Sequence, residues 1–164
     1  MKPRPVSESQ VIMTEMVLPS HTNSFGSIFG GTVMSWIDIC AAIAAQRHSR
    51  KPVVTASVDA LQFVAPVFKG WTVNLKASVN YAGRTSMEVG VRVDAENPIP
   101  GEMFHTASAY LTFVALNDYQ KPAEIPPILP VTEAEKRRHK AAQDRRQARL
   151  DQRAALLAQQ TPKK

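Results

Sequence analysis

The chain has 164 residues, 44% hydrophobic and 21% charged, which suits one domain with a real core and excludes a disordered or fibrous chain. Its formal charge of +6 would suggest a polyanionic partner, but residues 1–131 carry as many Lys and Arg as Asp and Glu. The surplus lies wholly in residues 132–164 and says little about what the neutral body binds. Cys40 is the only cysteine, which excludes an internal disulfide or a CxxC metal site and fits a reducing compartment. The first ten residues lack the apolar core of a signal peptide, and Ser35 and Asp38 break the most apolar stretch, 33–45, so a cytoplasmic chain without a membrane span is expected.

After an N-terminal arm (1–10), the apolar and β-branched run Val11–Leu18 predicts a first strand that Pro19 ends. A polar loop follows, and the glycines Gly26, Gly30 and Gly31 lead into an Ala-rich, Pro-free stretch, Thr32–His48, which predicts a helix. That helix is apolar almost all round and is expected to be central and buried, with Arg47 and His48 at its C-terminal end complementing its dipole. Beyond Pro52 the period becomes two. Val73 to Tyr81 and Met87 to Val93 alternate with polar residues across the turn Ala82-Gly83, predicting an antiparallel hairpin with one wet face. Val53–Val64 and Met103–Leu116 are apolar on both faces in places and read as central strands, with turns at 66–70 and 97–101. The order is strand, buried helix, then four strands in two hairpins: an α+β arrangement in which a curved antiparallel sheet wraps a helix, with 11–130 as the domain. A proline-rich connector, 121–130, precedes a basic tail, 131–164. Thr132 and Glu135 form a capping-box signature there, but no sustained apolar stripe follows, so an exposed, fraying or partly disordered helix is expected.

No GxSxG, Walker A, HExxH or GxGxxG pattern occurs, and the four histidines are scattered singly, so no metal or cofactor site is expected. Asp38 stands apart. It lies about two turns inside the most apolar helix, too far in to cap it, and a carboxylate there costs several kcal/mol to desolvate unless something answers it. It is either a reactive group or a structural one bonded to a buried partner. The Gly-rich entry 26–31 would present free backbone N–H groups and the positive end of the helix dipole to an approaching carbonyl oxygen. Such donors with an acid two turns along make a minimal set for hydrolysing a thioester; glycines there serve tight packing equally well.

His21-Thr-Asn-Ser-Phe-Gly-Ser-Ile-Phe-Gly-Gly-Thr-Val-Met-Ser-Trp-Ile-Asp38, followed by Val54-Thr-Ala-Ser-Val-Asp59, Phe63-Val-Ala-Pro-Val67 and Tyr81-Ala-Gly-Arg-Thr-Ser-Met87, resembles the hotdog-fold acyl-CoA thioesterases, the group of the YciA-type and brain-type acyl-CoA hydrolases. The resemblance implies hydrolysis of fatty acyl-CoA to fatty acid and CoA. It implies a homodimer joined edge to edge, with active sites at the interface, that builds a hexamer as a trimer of dimers. The family's helix aspartate falls on Asp38, as general base or as nucleophile, and its glycine pair on Gly30 and Gly31, whose N–H groups would hold the thioester oxygen. A functional asparagine of some relatives is Ser27 here, a departure, while Asn23 matches a second family asparagine that would shape the site from the facing subunit. The Gly83-Arg84-Thr85-Ser86 turn and Thr55 would meet CoA, Arg84 at a phosphate; otherwise Arg84 is a surface arginine at a hairpin end.

A binding module of the same fold, holding acyl-CoA or an acyl carrier without hydrolysing it, is the alternative, and the presence of Asp38 speaks against it. A hotdog dehydratase would need a histidine near the site, and His21 precedes the helix by too much. A nucleic-acid role for the tail would require binding that weakens steeply with salt. Acyl-chain length is unreadable, with Met34, Trp36 and Phe63 as the residues that could set it.

Overall fold

The structure, a computed structural model, describes residues 1–160. In chain order the elements are β1 (Arg4–Pro5), β2 (Val11–Met16), α1 (Gly30–Ser49), β3 (Val53–Val58), β4 (Thr72–Ala82), β5 (Ser86–Asn97), β6 (Glu102–Ala115), β7 (Ile128–Leu129) and α2 (Glu133–Gln160). Residues 161–164 of the basic tail lie outside the described residues.

Five strands form one antiparallel sheet in the order β2-β4-β5-β6-β3. The period-two pattern sets its register. Val73, Leu75, Ala77 and Val79 of β4 meet Ala95, Val93, Val91 and Val89 of β5, and these eight side chains are buried under α1. The helix lies close to the sheet because Cys40, Ala41, Ala44 and Ala45 are small and fully buried, while Ile37 and the β6 residues Leu111 and Phe113 fill the space around them. Each of those three larger side chains contributes about 1.5–3 kcal/mol by leaving water.

Three expectations are corrected. β2 ends at Met16, two residues before Leu18. The run 53–64 is a strand only to Val58, and β3 is an edge strand paired with β6 alone, so the sheet is a β4-β5-β6 meander flanked by β2 and β3. Its apolar side chains are not evidence of central burial, since Val54 and Val58 are 46% and 45% exposed. The helix is likewise not covered all round. Met34 and Ile39 are about half exposed, on a side of α1 that no other element covers fully.

Three bulges re-aim side chains: Ala56 in β3, Asn80 in β4 and Thr106 in β6 are the extra residues where the register shifts. The N-terminal arm is stitched to the body. β1 pairs in parallel with β7, Arg4 donates to the His48 carbonyl at the end of α1 (2.5 Å), and the buried Ser9 hydroxyl accepts the Val79 N–H (3.0 Å).

The tail does not fray at its start. The Glu135 N–H donates to Thr132 Oγ1 (3.2 Å), and Glu135 Oε2 accepts the N–H groups of Thr132 (2.9 Å) and Val131 (2.7 Å), which closes the capping box. α2 then docks on the outer face of the sheet through cations rather than through an apolar stripe. Arg145 Nη2 and Arg149 Nη2 reach the two oxygens of Glu88 at 2.7 and 2.9 Å, and Arg149 Nη1 reaches Asp59 at 2.8 Å. The Arg145 guanidinium also lies 3.6 Å from the centre of the Tyr110 ring. From Leu150 to Gln159 the helix is exposed.

Candidate active site

Asp38 is half-buried rather than sealed. The Thr55 hydroxyl donates to its Oδ1 at 2.7 Å across the gap between α1 and the edge strand β3. Thr55 faces the helix because it pairs with the inward-facing Phe113, and the bulge at Ala56 lets Val58, three residues on, point the same way. Strict alternation would have sent one of them outward. Asp38, Thr55, Val58, Met34, Leu111 and Gly31 line a cavity of about 410 Å³ with a mainly apolar wall, within the size range of ligand pockets.

Gly31 stands at the N-terminal end of this cavity. The first N–H groups of a helix have no acceptor within it, and Phe29 caps α1 with no side-chain hydrogen bond, so the Gly30 and Gly31 amides are available donors. Phe63 packs over Gly30 and Phe29 over Gly31; a Cβ at either position would sit 3.5 or 3.4 Å from those rings. Gly31 and Asp38 are seven residues apart on one helix, about 10 Å along the axis. The helix-start amides also point away from Asp38.

Other expected site residues are placed elsewhere. Asn23 and Ser27 bond each other: Asn23 Nδ2 donates to Ser27 Oγ (2.9 Å), the Asn23 N–H donates to the Ser27 carbonyl (2.9 Å), and Asn23 Oδ1 accepts the Phe25 N–H (2.9 Å). They brace the loop that enters α1, with Gly26 in the left-handed region (φ 77°) at its tip. Gly83, Arg84, Thr85 and Ser86 form the β4–β5 turn; the Arg84 side chain is exposed and 3.5 Å from Glu124. Ser86 also lines a second, larger hollow of about 1000 Å³ between α2 and the outer face of the sheet, with Tyr81, Thr112, Arg146 and Arg153. Within one chain, then, Asp38, Thr55 and Gly31 come together, while the loop pair and the turn do not line the Asp38 cavity.

Met34 lies in the cavity wall, whereas Trp36 is packed edge-on against His21 (ring centres 5.1 Å apart), so His21 is a structural ring contact. Sequence reasoning missed Glu88. It falls on the polar side of the β5 alternation, yet its side chain is 1% exposed because the α2 arginines cover it. The opposing signs of Glu88 and the tail were the available signal. Among the described residues no cluster of His, Cys, Asp and Glu could hold a metal ion, and no helix is long and apolar enough to cross a membrane.

Comparison with known proteins agrees with this fold. Residues 25–101 match the thioesterase superfamily model. The chain is 42% identical over 138 residues to the uncharacterized acyl-CoA thioester hydrolase YkhA of Bacillus subtilis, covering 84% of this chain and 80% of that one. A hexameric acyl-CoA thioesterase superposes with a TM-score of 0.91 at 42% identity, over 95% of this chain and 99% of that one. The acyl-CoA hydrolase of Staphylococcus aureus, solved with butyryl-CoA and CoA, superposes with a TM-score of 0.88 at 36% identity over 95% of each chain. That enzyme has also been solved with an aspartate, a threonine or an asparagine replaced by alanine. A long helix in the curve of a five-stranded antiparallel sheet is thus shared with acyl-CoA thioesterases over nearly the whole chain, and the chain belongs to the hotdog-fold acyl-CoA thioester hydrolases.

Proposed function

We propose that Asp38 of one subunit and the helix-start amides of Gly30 and Gly31 of a second subunit act together on one acyl-CoA thioester. The observation that carries this is the Thr55–Asp38 hydrogen bond at the wall of the apolar cavity: a carboxylate held in place, partly shielded from water, and free to accept a proton on its remaining oxygen. A carbonyl held at the Gly31 amide of the same helix would be about 10 Å from that carboxylate, too far for attack. A second copy brings the two ends of the reaction together. The open edge of β3 and the exposed Val54, Met34 and Ile39 beside it are the surface such a copy would cover. An antiparallel helix pair would set each Asp38 near the other chain's helix start. Pairing at that edge gives a dimer, and three dimers would give a hexamer like that of the hexameric relative.

Asp38 either takes a proton from water as it attacks the carbonyl carbon or attacks directly to give a mixed anhydride, which water then cleaves to the fatty acid and free Asp38. In both routes the amides stabilise the oxyanion and the C–S bond breaks to release CoA. Thr55 orients the carboxylate, a support for Asp38 in keeping with the residue types probed in the Staphylococcus aureus enzyme. Arg84 at the exposed turn would reach a CoA phosphate, with Gly83, Thr85 and Ser86 shaping that turn, and Asn23 and Ser27 would hold the loop that aims the amides.

The test is release of CoA thiol from short-, medium- and long-chain acyl-CoAs by wild type and Asp38→Ala, with equal oligomeric state shown by light scattering. The expected loss is about 10²–10⁴-fold in kcat. Turnover by Asp38→Ala within tenfold of wild type would remove Asp38 from the mechanism. Single turnover in H₂¹⁸O gives a positive sign of the nucleophilic route, since label enters the Asp38 carboxylate only when an anhydride forms there and water attacks its aspartyl carbon.

A further inference from the structure

A serine, a histidine and an aspartate meet on the outer face of the sheet, on the side opposite α1. Residues 105 and 108 of β6 are three apart, and an unbroken strand would point them to opposite faces. The bulge at Thr106 cancels that half-turn, since Val93 pairs with Ala107 but Asp94 pairs with His105. As a result His105 and Ser108 share the outer face, opposite Asp94 and Arg92 of β5.

The contacts form a directional chain. Ser108 Oγ lies 3.2 Å from His105 Nε2, and His105 Nδ1 lies 3.1 Å from Asp94 Oδ1. Arg92 Nε donates to both Asp94 oxygens, at 3.0 and 2.8 Å. Partial burial alone would push the Asp94 carboxyl up, but the hydrogen bonds from Arg92 and His105 outweigh it and hold the carboxyl below the usual range. Asp94 accepts, so His105 Nδ1 carries the proton between them, and in the neutral imidazole it is Nε2 that offers its lone pair to the Ser108 hydroxyl. This is the order of roles in a Ser-His-Asp nucleophile, which is identified by geometry and not by fold. Arg92, directly across from Ser108, engages Asp94 through Nε and keeps its terminal N–H groups as donors for an oxyanion.

We propose that Ser108 is an acyl-accepting nucleophile for small activated carboxylic esters, at a second site independent of Asp38. Ser108 Oγ adds to the ester carbonyl carbon while its proton passes to His105 Nε2, and Arg92 donates to the oxyanion. On collapse the C–O bond to the leaving group breaks, the electron pair leaves with that oxygen, and His105 returns the proton to it. Water then cleaves the acyl-serine ester, its proton passing to His105 and on to Ser108 Oγ. Asp94 is a positioning residue throughout. Both Ser108 and His105 are exposed, so small, unhindered acyl groups reach the serine directly.

The probe is p-nitrophenyl acetate with the full-length protein, read as acetylated peptide by mass spectrometry, alongside labelling by a fluorophosphonate. Ser108 is expected to acetylate at least tenfold faster than the exposed Ser20 and Ser24 of the same protein. His105→Gln should remove that advantage. Asp38→Ala should leave it intact, and Ser108→Ala should hydrolyse acyl-CoA at the wild-type rate, which also reports that the fold is kept. If Ser108 reacts no faster than Ser20, or equally fast in His105→Gln, the serine is not activated and the proposal fails. Because the Asp38 and Ser108 readouts use different substrates and variants, loss of one reading leaves the other standing.

Discussion

Replacing both Arg145 and Arg149 with alanine would leave the Glu88 carboxylate, 1% exposed, with the Asn80 amide at 3.4 Å as its remaining side-chain donor. Glu88 accepts three contacts from Arg145, at 2.7, 3.2 and 3.3 Å, and one from Arg149 at 2.9 Å. Breaking a buried ion pair by removing its cation costs at most about 3–5 kcal/mol, the full value applying where the docked backbone of α2 still keeps water from the charge left behind. Each single variant keeps one guanidinium on Glu88 and should cost only about 1–2 kcal/mol, so the double variant should cost more than the sum of the singles. The assay is urea denaturation at fixed protein concentration, combined with amide hydrogen exchange over 133–160. We expect a lower midpoint and loss of protection along α2 in the double variant. Sodium chloride at 1 M should leave the wild-type helix docked, since partly buried pairs are weakly screened. If the double variant stays within about 0.5 kcal/mol of wild type with α2 still protected, the contacts are of the surface kind and the docking argument is wrong.

Thr55→Val removes the donor to Asp38 and should lower kcat by about 5–30-fold, from roughly 1–2 kcal/mol of lost hydrogen bonding, with little change in stability; a change confined to KM would contradict the orienting role. A Cβ added at Gly90 would sit 2.5 Å from Asn80 Nδ2, so Gly90→Ala should destabilise by about 1–3 kcal/mol, and adding Asn80→Ala should recover part of the loss in thermal melts. His48 is fully buried, with its Nε2 2.8 Å from the Pro126 carbonyl, and burial holds its pKa below the ordinary 6.5. The unfolded chain therefore binds a proton that the folded chain resists, and stability is full above about pH 6.5 and falls as pH drops below it. Urea midpoints at pH 7.5 and 5.5 should differ, and His48→Gln should flatten the difference; equal slopes in the two proteins would show that another group is responsible.

Composition made α1 legible, an Ala-rich and Pro-free stretch, and period-two alternation did the same for the β4–β5 hairpin, because burial on one face of a pleated sheet leaves a direct imprint on residue order. The edge position of β3 left no such imprint. Its residues are apolar because they face a helix on one side and an open edge beside it, and a single chain cannot distinguish that from the interior of a sheet. The docking of α2 was hidden for a different reason: its arginines replace an apolar stripe, and only the placement of Glu88 and Asp59 shows where they bind. Asp38 was singled out as a carboxylate in an apolar helix, but the helix proved open on that side, and the Thr55 bond, set by a bulge at Ala56, is what gives it a fixed position.

Cys40 sits at the centre of the packing between α1 and β4, fully buried, with its Sγ 3.9 Å from the Leu75 carbonyl oxygen, and desolvation pushes its thiol pKa up to about 11. A thiol that is both sealed and protonated does not react with disulfide reagents at neutral pH. Colorimetric detection of released CoA thiol therefore carries no background from the intact enzyme. Any slow drift in the enzyme-only blank is instead a direct count of molecules whose helix has lifted from the sheet.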